Sequence, residues 1–280
     1  MRSFIPTPSH NAVAFGIFTI HFYALCILLG TIVAILIGRK RYQDAGGDRN
    51  EIIDIAIFAI PAGIVGGRLY HVATSPELYF GSYGHPFDAI KIWDGGMGIW
   101  GAVALGTLAS FLAFKSKVRT LTFGHCADAM APGLLIAQGI GRFGNWFNGE
   151  LFGSPTTLPW GLKIPLSLRP NGYENYQTFH PTFLYEALWC FLSAAALIYF
   201  TPLLRRTLAR RPGDLFISYI AIYCIGRLWI ESLRIDLAHH LFGLRLNAWV
   251  SLFGIALPGL TLLVKSSKNR AVREVGSRHD

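Results

Sequence analysis

The sequence alternates long apolar runs with short connections that are rich in lysine and arginine. A helix needs about 20 apolar residues to cross the hydrocarbon core of a bilayer, and several runs reach that length. Only 15% of the residues are charged and 52% are hydrophobic, whereas roughly a quarter are charged in an ordinary soluble domain. The pattern predicts an all-α polytopic membrane protein in which residues 1–280 form a single integral membrane domain.

About seven transmembrane helices are predicted. They cover residues 15–38, 52–73, 96–114, 121–141, 182–204, 214–233 and 246–264. The third is short, which predicts a bent or re-entrant start around Asp94-Gly95-Gly96. The first is too long for the apolar core of a signal peptide and has no small-residue cleavage site before its basic flank, so no cleavable signal peptide is expected.

The positions of the basic residues predict the orientation of these spans. Segments 39–50, 115–119, 205–211 and 265–280 together hold 16 of the 25 lysines and arginines. Because cytoplasmic loops are enriched in these residues, the N-terminus is expected outside and the C-terminus in the cytoplasm. Residues 142–181 then form a small external head, and residues 265–280 a basic cytoplasmic tail. The net charge of +9 therefore reflects topology and does not indicate nucleic-acid binding.

Arginines within or beside the predicted spans indicate a site for an anion. A charge in the bilayer costs at least about 2.5 kcal/mol on insertion scales, so it needs a partner or a function. Arg142, Arg227 and Arg234 all fall toward the predicted external side. Tyr223, Arg227 and Glu231 recur at i, i+4 and i+8 on one helix face, which Arg234 continues. The alternative is a structural Arg–Glu pair that joins two helices.

The ten residues from Gly141 to Glu150 form a polar stretch that begins at the end of the fourth predicted span. Three glycines and two asparagines make a regular helix improbable there, and irregular backbone at membrane depth is tolerated only inside protein or beside water. Glycines let backbone N–H groups approach an anion, and Arg142 adds a planar fork that suits phosphate. The stretch predicts an anion site at the external end of a helix bundle, with a plain loop as the alternative.

Several other polar residues have two interpretations each. Asp128 either pairs with an arginine or caps a bend, and Arg68 is interpreted as structural. Thr182 or His180 could cap the fifth span, or His180 could be functional, while Tyr23 fits an interfacial aromatic belt. The cysteines lack metal-ligand spacing and are expected to be apolar packing residues: Cys26, Cys126, Cys190 and Cys224.

Five blocks of sequence, in order along residues 15–264, resemble those of bacterial prolipoprotein diacylglyceryl transferases. They are residues 20–23 (IHFY), 93–97 (WDGGM), 141–153 (GRFGNWFNGELFG) and 180–186 (HPTFLYE), together with the Tyr223/Arg227/Glu231 stripe. The resemblance implies a seven-span enzyme of the bacterial inner membrane. Such enzymes move the diacylglyceryl group of phosphatidylglycerol to the thiol of the lipobox cysteine in a prolipoprotein signal peptide. They release glycerol phosphate and need no cofactor or metal.

The resemblance also assigns roles by matching positions. It implies a catalytic set of Arg142, Arg227, Glu150, Tyr23 and Glu231. It implies a phosphatidylglycerol-binding set of Arg142, Asn145, Gly153, Arg227, Arg234 and His180.

One position departs from the family pattern. Many members have a histidine, a candidate base, where this sequence has Trp100. The attacking thiol has an ordinary pKa near 8.5, so either Glu150, Glu231 or His180 accepts its proton or the arginines lower the thiol pKa; the second explanation is favoured.

Two other functional classes were weighed. An anion transporter or channel fits an arginine-lined cavity, but no internal repeat is evident and the polar cluster is biased to one side. An intramembrane protease lacks its sequence motifs here.

Overall fold

The computed structural model describes residues 4–276, apart from 17, 119, 208–210, 237 and 239. Within these ranges the α-helices are α1 (Phe22–Asp44), α2 (Arg49–Thr74), α3 (Glu77–Phe80), α4 (Ile99–Lys117), α5 (Phe123–Asn148), α6 (Thr182–Tyr199), α7 (Thr201–Thr207), α8 (Asp214–Leu233) and α9 (Leu246–Gly276). The short strands are β1 (Ile5–Pro6), β2 (Ala12–Phe15), β3 (Phe18–His21), β4 (Leu162–Lys163), β5 (Thr178–Phe179), β6 (His240–Leu241) and β7 (Leu244–Arg245).

The chain folds as a polytopic all-α membrane protein. Among the described residues, six helices are long and apolar enough to cross a bilayer: Phe22–Asp44, Arg49–Thr74, Ile99–Lys117, Thr182–Tyr199, Asp214–Leu233 and Leu246–Lys265. Large apolar side chains on them, such as Leu28, Leu36 and Leu257, are more than half exposed, as lipid-facing residues should be. At the predicted fourth span lies α5, which is 26 residues long but carries Asp128 and Arg142.

Two predicted span boundaries are wrong. The first span begins at Phe22 and not at residue 15, because β2 and β3 form an antiparallel hairpin before it. The fifth is divided, since α6 ends at Tyr199 and α7 begins at Thr201. The predicted bend before the third span is confirmed: Gly95 and Gly96 have φ of 84° and 70°, a region that glycine adopts without steric cost.

The described chain divides into two compact units, one of residues up to Gly38 and from Ala127 onward, the other Arg39–Cys126. In the first unit, α5, α6 and α8 share a core of Ala131, Leu135, Cys190, Ala194, Leu197, Leu215 and Tyr219. Helix α1 approaches α5 so closely that a Cβ at Gly30 would lie 2.9 Å from the carbonyl oxygen of Ala137. This packing places the C-terminal part of α5 beside α6 and α8.

The polar end of the first unit is covered by irregular chain after α5. In its small sheet, β1 pairs in parallel with β4, and β4 pairs antiparallel with β5. The apolar residues under it are Phe152, Leu162, Ile164, Phe179 and Phe183. Trp146 of α5 stacks on Phe183 at an interplanar angle of 14°, so this layer is fixed to the helices that carry the arginines.

In the second unit, α2 and α4 pack through glycines. A Cβ at Gly66 of α2 would overlap the carbonyl oxygen of Gly101 in α4, so the two helix backbones are in close contact. Arg68 is buried and donates to the carbonyl oxygens of Ala89 at 2.8 Å and Gly96 at 3.0 Å. These bonds hold the connection between the two helices and agree with the structural role predicted for Arg68.

Candidate active site

The polar stretch after Gly141 is helical through Asn148, so the expectation of irregular backbone there is wrong. Irregular backbone begins at Gly149, whose φ is 62°. The reason lies in the asparagine side chains, which do not turn back onto their own backbone. Asn145 and Asn148 donate their Nδ2 groups to Glu150 Oε1 at 2.9 and 3.1 Å. The helix therefore continues, and a carboxylate beyond its end satisfies the amides.

Arg142 is oriented by two acceptors. Its Nη1 donates to Asn145 Oδ1 at 3.2 Å, and its Nη2 lies 2.9 Å from Glu186 Oε1. Since Asn145 also bonds Glu150, the predicted residues Arg142, Asn145 and Glu150 form one chain of hydrogen bonds. A guanidinium held in this way presents its fork in a fixed direction.

The polar stripe on α8 shares one face, as its spacing predicts. Arg227 Nη2 lies 2.6 Å from Glu231 Oε2, and Arg234 Nη1 lies 3.9 Å from the same oxygen. Tyr223 donates its hydroxyl to Glu186 Oε1 at 3.3 Å. The Glu186 and Glu231 side chains are only 4% and 1% exposed, so the stripe faces the protein interior.

Glu186 of α6 joins the two predicted phosphate-binding arginines. Its Oε1 contacts Arg142 and its Oε2 contacts Arg227, at 2.9 and 3.2 Å. Two guanidinium groups that share one carboxylate can also bind the paired oxygens of a phosphate. Glu186 was not predicted as a site residue, although a carboxylate inside an apolar span is a signal that could have identified it.

A second group of charges lies at and beyond the end of α8; Glu231 and Arg234 are predicted site residues, whereas Asp236 and Arg245 were not predicted. Arg234 holds Asp236 through Nε and Nη2, at 2.6 and 2.8 Å. Arg245 donates its Nη2 to Asp236 Oδ2 at 2.9 Å and its Nε to Glu231 Oε1 at 2.6 Å. Burial acts to raise the pKa of Asp236, but the hydrogen bond from Arg234 and the charges of Arg234 and Arg245 outweigh it and lower that pKa. Asp236 is therefore charged at neutral pH.

A small pocket opens among these groups. It is narrow and is lined by Arg142, Asn145, Leu151, Thr182, Phe183, Glu186 and Arg234. Three predicted binding residues thus line one space, with Glu186 beside them. The predicted cap of the fifth span is wrong, since no side chain caps α6 at Pro181; Thr182 instead donates to the carbonyl oxygen of Leu151.

Gly153 permits a close approach of three segments. It forms an antiparallel bridge with Arg234, and its N–H donates to the carbonyl oxygen of His180 at 2.9 Å. A Cβ at Gly153 would lie 2.9 Å from His180 Cβ and 3.0 Å from the carbonyl oxygen of Leu233. The absence of a side chain therefore brings His180 and Arg234 to neighbouring positions.

The His180 side chain ends an aromatic hydrogen-bonded chain. Its Nδ1 lies 3.1 Å from the hydroxyl of Tyr185, which accepts from Trp160 Nε1 at 3.1 Å. Because the indole can only donate, the arrangement that satisfies every group has Tyr185 donating to His180. Burial lowers the pKa of His180, so its imidazole is neutral at pH 7.

Tyr23, near the start of α1, lies against the turn of α5 that carries Arg142. A Cβ at Gly144 would lie 2.5 Å from Tyr23 Cδ2, so only glycine leaves room for the ring. Tyr23 is 38% exposed. Both predicted interpretations, a site residue and an interfacial aromatic, are compatible with this position.

Trp100 and the buried cysteines do not belong to these contacts. Trp100 is the second residue of α4, in the unit Arg39–Cys126, and the identity of the base stays a prediction.

The four cysteines are free; three are buried and Cys26 is partly exposed. Among the described residues, no group of three or more His, Cys, Asp or Glu could hold a metal ion. Asp128 accepts from Phe216 N at 2.9 Å and pairs with Arg205 at 3.4 Å, which joins α5 to the start of α8.

Comparison with known proteins places this arrangement in a family. The sequence model described as prolipoprotein diacylglyceryl transferase matches residues 10–264. Three relatives are named phosphatidylglycerol–prolipoprotein diacylglyceryl transferase. The protein from Cutibacterium acnes is 51% identical over 87% of this chain and 80% of its own length. Those from Bifidobacterium adolescentis and Streptomyces griseus are 43% and 46% identical, over 94% and 97% of this chain and 80% of their own lengths. The chain therefore belongs to the prolipoprotein diacylglyceryl transferase family and is a transferase.

Proposed function

We propose that this chain transfers the diacylglyceryl group of phosphatidylglycerol to the lipobox cysteine of prolipoproteins and releases glycerol phosphate. The relatives' names support the reaction. One observation connects this reaction to particular residues: Arg142 of α5 and Arg227 of α8 both contact the carboxylate of Glu186. A pair of guanidiniums preset around one anion is what a phosphodiester substrate requires.

In the bound state, the phosphate oxygens contact Arg142, which lines the pocket, and Arg227, which shares Glu186 with it. Arg234 also lines that pocket and contributes a third positive charge. His180 and Gly153 lie beside Arg234 and would contact the glycerol head group. The neutral imidazole of His180 can donate to a hydroxyl without adding charge.

The reaction forms one bond and breaks one. The cysteine thiolate attacks the glyceryl carbon next to the phosphate, and a carbon–sulfur bond forms. The bond between that carbon and the phosphate oxygen breaks, and glycerol phosphate leaves with the electron pair on that oxygen. Negative charge grows on the leaving phosphate, and preset donors aimed at such charge commonly contribute a factor of about 10²–10³ each.

The thiol must lose its proton before or during attack. Nearby guanidinium charges stabilise the thiolate and so lower the thiol pKa. Glu150 accepts from two amide groups, whereas Glu231 contacts Arg227 and Arg245. Glu231 is buried between arginines, whereas Glu150 is exposed and open to a substrate, so we assign proton acceptance to Glu150. On this assignment Trp100→Phe retains turnover in a transfer assay, and complete loss of turnover would show that position 100 takes part.

The same proposal gives the location and orientation. We place the protein in the bacterial inner membrane, with its N-terminus outside and its C-terminus in the cytoplasm. The basic connections at 39–50, 115–119 and 205–211 support this orientation. The site at the C-terminal end of α8 then lies at the outer leaflet, where phosphatidylglycerol and an anchored signal peptide would both be accessible.

The direct test mixes purified protein with phosphatidylglycerol and a lipobox peptide and measures the peptide by mass spectrometry. We expect the peptide cysteine to gain one diacylglyceryl group. Arg142→Lys should lose at least about 99% of the turnover, because a point charge does not replace a bidentate fork.

The matched control is Arg169→Lys. Arg169 donates to the backbone carbonyl of Ile164 at 3.0 Å, away from the pocket lining, so turnover should stay near wild type. Near-normal turnover of Arg142→Lys would refute the role of Arg142. Absence of any peptide modification by wild type, with anion flux in liposomes, would refute the transferase assignment in favour of transport.

A further inference from the structure

Arg245 is the last residue of β7 and directly precedes α9. Its side chain is 13% exposed and contacts acceptors only. Nε donates to Glu231 Oε1 at 2.6 Å and Nη2 to Asp236 Oδ2 at 2.9 Å. Nη1 donates to the carbonyl oxygens of Asp236 at 2.9 Å and Arg234 at 3.3 Å. Each of its three nitrogens therefore has a partner within the protein.

Arg245 is not among the residues that line the pocket. It lies behind two carboxylates, those of Glu231 and Asp236, which in turn contact Arg227 and Arg234. Its fork is filled by these acceptors, so it acts on a ligand through other side chains. Its effect on the site is therefore one of charge and position.

The ion-paired group has a simple charge balance. Among the residues that the structure describes, three carboxylates, those of Glu186, Glu231 and Asp236, pair with four arginines: Arg142, Arg227, Arg234 and Arg245. The group thus carries one positive charge in excess, and without Arg245 it would be neutral. Glu150 makes no ion pair with this group: it accepts from the amides of Asn145 and Asn148, and Asn145 lies between it and Arg142.

We propose that Arg245 is a positioning residue that gives this ion-paired group its net positive charge and so strengthens the binding of an anionic donor lipid. The inference rests on the proposed function, in which the donor is phosphatidylglycerol with a single negative charge. Arg245 also contacts Glu231 and Asp236, so these carboxylates cancel less of the positive charge of Arg227 and Arg234. The remaining positive charge can attract the phosphate. A zwitterionic lipid has no net charge to match the excess, and neither does a neutral one.

The first experiment measures equilibrium binding of phosphatidylglycerol and of diacylglycerol to purified Arg245→Gln in detergent micelles. Loss of one desolvated positive charge should weaken phosphatidylglycerol binding by about tenfold and leave diacylglycerol binding unchanged. Arg245→Lys keeps the charge and should bind phosphatidylglycerol within about threefold of wild type. Equal losses for both lipids, or no loss for either, would overturn the proposal.

A compensating variant separates charge from structural support. Arg245→Gln combined with Asp236→Asn removes one charge of each sign and restores the excess of one, so phosphatidylglycerol binding should return to near wild type. If Arg245 only held the hairpin β6–β7 in place, the double variant would bind as poorly as Arg245→Gln or worse. That result would contradict the proposal.

One further variant and one parallel assay complete the test. If Arg245→Gln does not fold, Asp236→Asn alone raises the excess to two and should bind phosphatidylglycerol more tightly; unchanged or weaker binding overturns the proposal. Wild-type transfer to the lipobox peptide is measured in parallel. Transfer with no effect of these charges on binding refutes only the role of Arg245, whereas binding that follows the charges without transfer refutes only the proposed reaction.

Discussion

Both ends of α8 bury carboxylates, and the two ends surround them differently. At the start of the helix, Asp214 accepts from the backbone N–H of Arg211 at 2.9 Å and from Lys265 Nζ at 2.6 Å. At the other end, about 25 Å away, Glu231 contacts the side chains of Arg227 and Arg245. Asp214 thus accepts from one backbone N–H and one lysine, whereas Glu231 lies between two arginines.

The charge balance follows the same contrast. At the start of α8, among the described residues, Asp128 and Asp214 each form an ion pair with one basic side chain, Arg205 and Lys265 respectively, so these pairs are neutral. At the end, the ion-paired group has an excess of positive charge. A buried carboxylate in a membrane helix therefore does not by itself mark a binding site. An excess of cations that the protein's own acids leave unbalanced is the more specific sign of an anionic ligand.

The largest expected effect comes from replacing the basic residue at each end of α8. Arg227→Lys should lower transfer at least about 100-fold, because the fork that contacts both Glu186 and Glu231 is replaced by a point charge. At the opposite end, Lys265→Arg should retain transfer within about twofold, since its partner Asp214 accepts either base. Rates from the peptide mass assay decide the outcome. Similar losses for both variants would remove the functional distinction between the ends.

Amide replacements of the buried acids should give the next largest effect. Glu186→Gln leaves Arg142 and Arg227 without their shared anion, so the free energy of unfolding should fall by about 3 kcal/mol and transfer by about tenfold. Asp214→Asn keeps an oxygen for the Arg211 N–H, and a loss of about 1–2 kcal/mol is expected with transfer unchanged.

Denaturant unfolding in detergent and the transfer assay check this pair of variants together. Loss of transfer in Asp214→Asn without loss of stability would place function at the wrong end of α8. Unaltered stability and transfer in Glu186→Gln would show that the two arginines do not depend on the shared carboxylate.

Part of this contrast can be predicted from the sequence, because the positions of the polar residues along α8 show which of them share a helix face. The i, i+4 relation of Arg227 and Glu231 is a property of any helix, and the structure confirms it. The apolar runs likewise predict most of the spans. What local pattern could not supply is the partner from another segment. Glu186 lies 41 residues from Arg227 in sequence, so only the packing of α6 on α8 brings them together.

Two wrong predictions have the same origin. Glycines and asparagines after Gly141 favour a break by local preference, yet contacts with Glu150 and Glu186 retain the helix through Asn148. The apolar residues from 15 onward predict an earlier start of the first span, but residues 12–15 and 18–21 pair as antiparallel strands. In both places tertiary contacts override local preference.

The smallest expected effect concerns pH. Burial lowers the pKa of His180 below its ordinary value of about 6.5, so the unfolded chain binds the proton more readily than the folded one. The folded state therefore loses stability as the pH falls below about 6.5 and through the lowered pKa. His180→Gln should flatten this dependence when unfolding midpoints are compared between about pH 5 and pH 7. An unchanged slope would contradict the assignment of a neutral, partly buried imidazole.

The central claim is that the arginine-rich end of α8 binds the phosphate of the donor lipid. A structure determined with phosphatidylglycerol bound tests it most directly. The account predicts phosphate oxygens within about 3 Å of guanidinium nitrogens of both Arg142 and Arg227. A phosphate bound at the Lys265 end of α8, or one that contacts neither Arg142 nor Arg227, would contradict it.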